Sequence, residues 1–337
     1  MIRYLTTEVT EETETIPNQK SKMPSMDGTL VIDKPAGMTS HDVVARVRKI
    51  IGERRVGHTG TLDPFATGVL VILAGKATRL MQFLNGAEKE YEAVIRLGYA
   101  TDSGDVTGVP QQGTLTTETQ RYTEIHGEEI ENAMSSLRGE IDQTPPMYSA
   151  KKIKGQKLYE LARRGEQIER ASVPVTISAF EAIERDGKLL RENEDGTRDL
   201  AVRVACSAGT YVRTLAEDFG KRLGLGAHLA ELRRTRAGCF KITGANTLEQ
   251  LSELAKSGLL AQAFISPDAT LRHLPALDLS ADDVRRVVNG LNLKVEQTVW
   301  PTGQAVRLRG AVGVLTAVGI YDEALKLVHP RVVIASW

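Results

Sequence analysis

Cysteine is scarce: Cys206 and Cys239 are the only two among 337 residues. Two thiols exclude a disulfide framework and a cysteine-based zinc cluster, which leaves buried reduced thiols in a cytoplasmic protein as the simplest account. Long hydrophobic runs are missing as well. No apolar stretch approaches the ~20 residues that span a bilayer, and Met1-Ile2-Arg3-Tyr4-Leu5 lacks the apolar core of a signal peptide. Net charge is absent too, with 43 basic side chains against 43 acidic ones. A strongly basic balance would have announced a polyanion partner; here only the distribution of charge can do so. What remains is ordinary for a soluble protein, 41% hydrophobic and 26% charged. At this length one large domain with a well-buried core and a smaller second one can form.

The charge is unevenly spread. Residues 151–170 carry seven basic side chains against three acidic ones, and residues 46–55 carry five against Glu53 alone. Arg233-Arg234-Thr235-Arg236 is a third knot. Most charge runs are solvated faces, but three basic knots in a neutral chain also fit a phosphate-binding surface.

Residues 1–26 read as a disordered tail, with Glu8, Glu11, Glu12 and Glu14 among threonines and no sustained period. Structure begins at Gly28-Thr29-Leu30-Val31-Ile32, a short strand pattern stopped by Asp33-Lys34-Pro35-Ala36-Gly37. Thr39 or Ser40 can cap a helix that puts Val43, Val44, Val47, Ile50 and Ile51 on one face. Tyr91 to Leu97 alternates as a strand, and Thr101-Asp102-Ser103-Gly104-Asp105 is a polar turn lacking the later glutamate of a calcium loop. Residues 128–138 suit a helix, and Pro145-Pro146-Met147-Tyr148 breaks the chain. Val173–Ile183 and Leu200–Cys206 read as strands before a helix from Tyr211 to Leu223, ended by Gly224. A boundary near 265 precedes a small β-rich appendix: one short helix (Ala281–Val288), then alternating segments at Ala305–Leu308, Val312–Val318 and Leu325–Ile334.

One stretch carries chemistry. Gly57-His58-Thr59-Gly60-Thr61-Leu62-Asp63-Pro64-Phe65-Ala66-Thr67-Gly68 sets three glycines, a histidine and a carboxylate directly before the apolar run Val69–Ala74. Such glycine density implies positive φ or close approach by another chain. Pro64 pushes Asp63 toward an extended conformation, so the carboxylate is held on a shaped loop. Composition alone allows an ordinary turn equally well.

Several motifs resolve that choice. Gly28 through Ser40 resembles the opening motif of TruB-type tRNA pseudouridine-55 synthases, and Gly57 through Pro64 resembles their catalytic loop. Lys89-Glu90-Tyr91, Thr101 through Asp105, Pro146 through Lys152, Cys206 through Thr214 and Gly226-Ala227-His228-Leu229-x-x-Leu232-Arg233-Arg234 follow in the family's order. The resemblance covers about 28–250. It implies an α+β protein, with a central mixed, mostly antiparallel sheet flanked by helices, an inserted thumb at about 143–172, and a catalytic domain over 27–264. Residues 265–337 match a small PUA-like RNA-binding domain by position and β-pattern alone. The family's bacterial members often begin near residue 26 here, which makes Met26 an alternative start.

The resemblance implies residue roles as well. Asp63 matches the catalytic aspartate, His58 the histidine that holds the flipped-out RNA loop, and Tyr91 the aromatic stacked on the target base. Arg213 matches the arginine paired with the carboxylate, and Tyr211 and Leu232 match further pocket positions. Lys34, Lys151, Lys152, Lys154, Arg233 and Arg234 are expected on the RNA backbone. Converting uridine to pseudouridine adds and oxidises nothing, so neither cofactor nor metal is required. The implied partner is the T-arm of tRNA, bound by a cytoplasmic monomer with no obligate protein partner and no membrane. The residues taken singly allow plainer roles. His58 can hydrogen-bond within its loop, Tyr91 can be strand core, Arg213 can pair with Glu217, Asp102 and Asp105 can shape a turn, and Asp33 and Lys34 can shape the first turn. A non-catalytic RNA-binding module would have no need of the carboxylate, and a nucleoside hydrolase would want a second acid that the motifs do not supply.

Overall fold

The computed structural model describes residues 26–111, 125–149, 152–153, 156–157, 161, 164, 168–295 and 300–335. A ten-stranded sheet forms the larger layer. Its strands are β1 (Gly28–Lys34), β2 (Val56–Thr59), β3 (Thr67–Ala74), β4 (Lys89–Leu97) and β5 (Gly139–Gln143), then, after a two-stranded hairpin of β6 (Lys152–Ile153) and β7 (Gln156–Lys157), β8 (Val173–Ala182), β9 (Leu190–Glu192), β10 (Arg198–Cys206), β11 (Ala227–Ala237) and β12 (Phe240–Lys241). The spatial order is β1-β3-β11-β4-β10-β8-β5. Every pairing is antiparallel except β3 with β11, which run parallel at Arg233–Thr67 and Arg234–Gly68.

Side-chain alternation explains which layers cover the sheet. In β4, Tyr91, Ala93, Ile95 and Leu97 point into a core completed by Ile130 and Met134 of helix α2 (Gly127–Ser135) and by Leu215 and Phe219 of α3 (Val212–Arg222). The opposite face carries ion pairs such as Arg203–Glu90, Arg96–Asp199 and Arg236–Glu88, the solvated side expected of an antiparallel sheet. β3 differs, because both its faces are buried. Leu70, Ile72 and Ala74 meet Val43, Val44 and Val47 of α1 (Ser40–Ile51), while Val69, Val71 and Leu73 share a cluster with Leu315, Val318 and Val332. Thr39 caps α1 reciprocally with Asp42, as its sequence position predicts.

Those last three residues belong to a second, five-stranded sheet ordered β13-β15-β16-β17-β14, formed by β13 (Ala276–Asp278), β14 (Leu293–Lys294), β15 (Ala305–Arg309), β16 (Leu315–Asp322) and β17 (Leu327–Val333). Arg79 donates to the Val333 carbonyl, and Arg307 pairs with Asp268, so polar contacts border the apolar seam. The alternating segment expected from Val312 starts later, at Leu315. Gly310–Val314 forms a turn in which Val312 adopts a positive φ of 52°. No helix among the described residues is long and apolar enough to cross a membrane.

Candidate active site

The loop between β2 and β3 carries Asp63, and three side chains from outside fix its path. Ser40, the buried first residue of α1, accepts from the Leu62 N–H at 2.9 Å and donates to the Leu62 carbonyl at 3.1 Å. Lys34, at the end of β1, donates through Nζ to the carbonyls of Pro35 (2.8 Å), Met38 (2.7 Å) and Pro64 (3.1 Å). Arg234 of β11 donates from Nε to the Val69 carbonyl (2.7 Å) and from Nη2 to the Gly60 carbonyl (2.9 Å), so one guanidinium joins both flanks of the loop. Gly68 sits at φ +99°, where a Cβ would collide with the Arg234 backbone; glycine is what lets β3 and β11 pair there.

Asp63 faces Arg213, with Nε 2.9 Å from Oδ2 and Nη2 3.1 Å from Oδ1, a bidentate pair. The guanidinium is nearly enclosed, its side chain 5% exposed against 34% for Asp63. It also donates to the carbonyls of Ser103 (2.8 Å) and Tyr148 (2.7 Å). Behind it, Oδ2 of buried Asp105 lies 3.7 Å from Nη1. Arg213 is the second residue of α3. A cation there opposes the helix dipole, so the flanking carboxylates and carbonyls must hold it.

Burial pushes the Asp63 carboxyl above its ordinary range, Arg213 pulls it down, and Asp105 adds a smaller upward push. Arg213 therefore keeps the ionised form within reach. Burial lowers the Lys34 ammonium to about 8 against the attraction of Asp63, so it remains charged at neutral pH. His58 is driven down to about 4 by burial, then by His41 and Arg234, and is a neutral imidazole at neutral pH. Its ring lies edge-on to His41, with centroids 5.4 Å apart, and its buried Nδ1 has no partner among the described residues.

Most of the expected pocket converges. Tyr91 and Leu232, each largely buried, share an apolar core with Leu62, the residue before Asp63, and with Val212, the residue before Arg213. Tyr211 is the residue from which α3 starts, and Arg213 pairs with Asp63 rather than with Glu217 one turn on. The expected RNA-backbone set is corrected in two places. Lys34 and Arg234 are buried and spend donors on loop carbonyls, so they shape the loop and do not face phosphates. Arg233 stays half exposed on the surface, paired with Asp33 at 2.7 Å. Lys151 and Lys154 lie outside the described residues, and Lys152 is described only as backbone of β6. Among the described residues, no group of three or more His, Cys, Asp or Glu side chains could hold a metal.

Sequence reasoning passed over Ser40 and Asp105. Asp105 does shape its turn, accepting from Ser103 Oγ (2.9 Å) and the Thr107 N–H (3.0 Å). Its second oxygen toward Arg213 depends on strands that meet only in the fold. Ser40 left a weak signal, a second hydroxyl inside the Thr39–Asp42 capping box that the box itself does not use.

The fold has solved counterparts. A structure of an H/ACA ribonucleoprotein bound to a substrate RNA containing 2'-deoxyuridine includes a chain 27% identical to this one, with a TM-score of 0.68 over 92% of this chain and 85% of that one. A chain of a Cbf5-Nop10-Gar1 complex is 28% identical, with a TM-score of 0.69 over 91% and 85%. The model of the TruB family pseudouridylate synthase N-terminal domain matches residues 48–212, and that of the tRNA pseudouridylate synthase B C-terminal domain matches 213–274. The protein called tRNA pseudouridine synthase B from Ralstonia nicotianae is 42% identical over 306 residues, 89% of this chain and 92% of its own. Its counterpart in Geobacillus thermodenitrificans is 45% identical over 270 residues, 80% and 86% of the two chains. Together with the shaped aspartate loop, these family and relative matches define an isomerase of the pseudouridine synthase class. The chain belongs to the TruB family of pseudouridylate synthases.

Proposed function

We propose that this enzyme converts uridine 55 in the T-loop of tRNA to pseudouridine, with Asp63 as its catalytic carboxylate. The observation that carries this reading is the bidentate Asp63–Arg213 pair, whose chain neighbours Leu62 and Val212 belong to the same apolar core as Tyr91 and Leu232. The target nucleotide is flipped out of the T-loop at a cost of a few kcal/mol in unstacking, offset by stacking on Tyr91 and by pocket contacts from Tyr211 and Leu232. Neutral His58, beside His41 at the loop entrance, holds the remodelled RNA.

Chemistry then needs one ionised carboxylate. The N1–C1' bond breaks with Asp63 stabilising or attacking the electron-poor centre. The base rotates, C5 bonds to C1', and C5 gives up its proton while N1 gains one. The product is an isomer, so no redox partner is consumed. Lys151, Lys152, Lys154 and the exposed Arg233 provide cations for the backbone, and the enzyme acts as a cytoplasmic monomer.

Asp63→Asn tests the assignment. It should abolish pseudouridine formation in a T-arm minihelix while leaving RNA affinity within about tenfold, because uniform binding does not depend on the charge. Conversion of uridine 55 by the substituted protein would exclude Asp63. Mass-spectrometric mapping of tRNA from cells lacking the enzyme would fix the position, since loss at any site other than 55 overturns the site.

A further inference from the structure

We propose that Gln143 is a positioning residue for the reaction: its carboxamide locks the start of α3 and thereby aims the Arg213 guanidinium at Asp63. The proposal rests on the catalytic reading of Asp63 given above.

Tyr211, the residue before α3, is extended (φ −102°, ψ 105°) and makes no side-chain cap. A phenol ring cannot serve the orphan N–H groups of a helix start as serine or aspartate does. Gln143 substitutes from another element. It ends β5 and is 1% exposed. Its Oε1 accepts from the Tyr211 N–H at 2.7 Å, and its Nε2 donates to the Tyr211 carbonyl at 3.0 Å. Only one orientation of the amide satisfies both, because a flip would set donor against donor. That carbonyl also takes the first helical bond, from the Leu215 N–H at 3.1 Å. One side chain therefore fixes both the entry and the first turn of the helix that presents Arg213.

The segment after Gln143 grips the same turn a second time. Through Thr144-Pro145-Pro146-Met147 the chain reaches Tyr148, whose carbonyl accepts from Arg213 Nη2 at 2.7 Å. Two prolines stiffen this short span. The returning limb of the insertion rests on it as well. Arg170 donates to the Pro145 carbonyl at 3.0 Å, and the hydroxyls of Thr144 and Ser172 meet at 2.9 Å. Gln143 and Tyr148 thus form a clasp, one end on the helix backbone and the other on the guanidinium. Both limbs of the insertion are joined to it.

Gln143→Met keeps chain length and volume and removes both hydrogen bonds. With the clasp gone, the single-turnover rate on saturating T-arm RNA should fall about 100-fold, the penalty for ångström-scale misplacement. RNA affinity should stay within about threefold, since a positioning loss falls on the chemical step. In an Arg213→Lys background the same substitution should lower the rate less than about threefold, because coupled residues are not additive. An equal loss in both backgrounds, or a rate loss that follows affinity, overturns the proposal.

A second readout needs no RNA. Asp63 faces Arg213, Asp105 and Lys34. Its carboxyl titration, followed by carbon NMR on the intact chain, should move upward in Gln143→Met as the guanidinium loses its aim. An unchanged titration overturns the clasp. A wild-type enzyme that makes no pseudouridine would instead defeat the functional reading and leave this measurement decisive. Should Gln143→Met fail to fold, Gln143→Asn decides by the same measurements. Its shorter amide cannot span both groups of Tyr211, and a wild-type rate and titration would overturn the proposal.

Discussion

Replacing Ser40 with alanine removes one oxygen and tests whether α1 holds the loop that carries Asp63. The hydroxyl serves both the N–H and the carbonyl of Leu62, and it is buried. Two polar groups beside Asp63 would be orphaned at once. Each orphaned buried group costs about 1–3 kcal/mol, so the raw penalty is about 2–6 kcal/mol. Alanine's better helix propensity returns about 0.5 kcal/mol at most. Loop relaxation toward water trims the upper end, which leaves an expected loss of about 2–4 kcal/mol, well inside the range of substitutions that break a buried network. Urea unfolding of the two proteins, compared at a shared m value, measures it. The single-turnover rate should drop at least about tenfold, because Leu62 is bonded directly to Asp63 and misplacement falls on the chemical step. A loss below about 0.5 kcal/mol, typical of featureless surface changes, together with an unaltered rate would refute the tether.

Two further outcomes follow from ionisation. Activity requires ionised Asp63, whose folded pKa is raised by burial, so the rate should fall with decreasing pH at a midpoint above that of a free aspartate; an acidic limb at or below the free value would contradict the burial argument. Burial lowers the Lys34 ammonium to about 8 in the folded chain, against 10.5 for an ordinary lysine. Between those values the unfolded chain holds more protons, so this group makes stability climb as pH rises from about 8 toward 10.5. Lys34→Met removes that slope. The wild-type advantage in unfolding free energy should widen across the window, and a constant difference would show that the ammonium is not depressed.

Local periodicity carried much of the fold into view. The apolar run of β3, the alternation of β4 and the Thr39 cap each depend on neighbours in sequence, and each is where its pattern places it. The glycine loop was legible for the same reason, since its φ constraints are local. Lys34 was misread because a lysine in a sequence reads as exposed. Its partners Pro35 and Met38 are near in sequence, but the third carbonyl, of Pro64, reaches it only when β1 and the Asp63 loop meet. Arg234 was hidden in the same way inside a run of surface-like charges, turned inward by strand alternation while Arg233 and Arg236 stay partly exposed in ion pairs. Gln143 left no signal beyond a glutamine before two prolines, because its partner is the backbone of a residue far along the chain.

The apolar layer behind β3 has a mechanical consequence. Val69, Val71 and Leu73 belong to the same core as Leu315, Val318 and Val332, so no hinge separates the strand that closes the Asp63 loop from the outer sheet. Cutting the chain ahead of that sheet would bare a row of aliphatic side chains to water at the back of the catalytic strand. Left whole, the two sheets share one core and move as a single body.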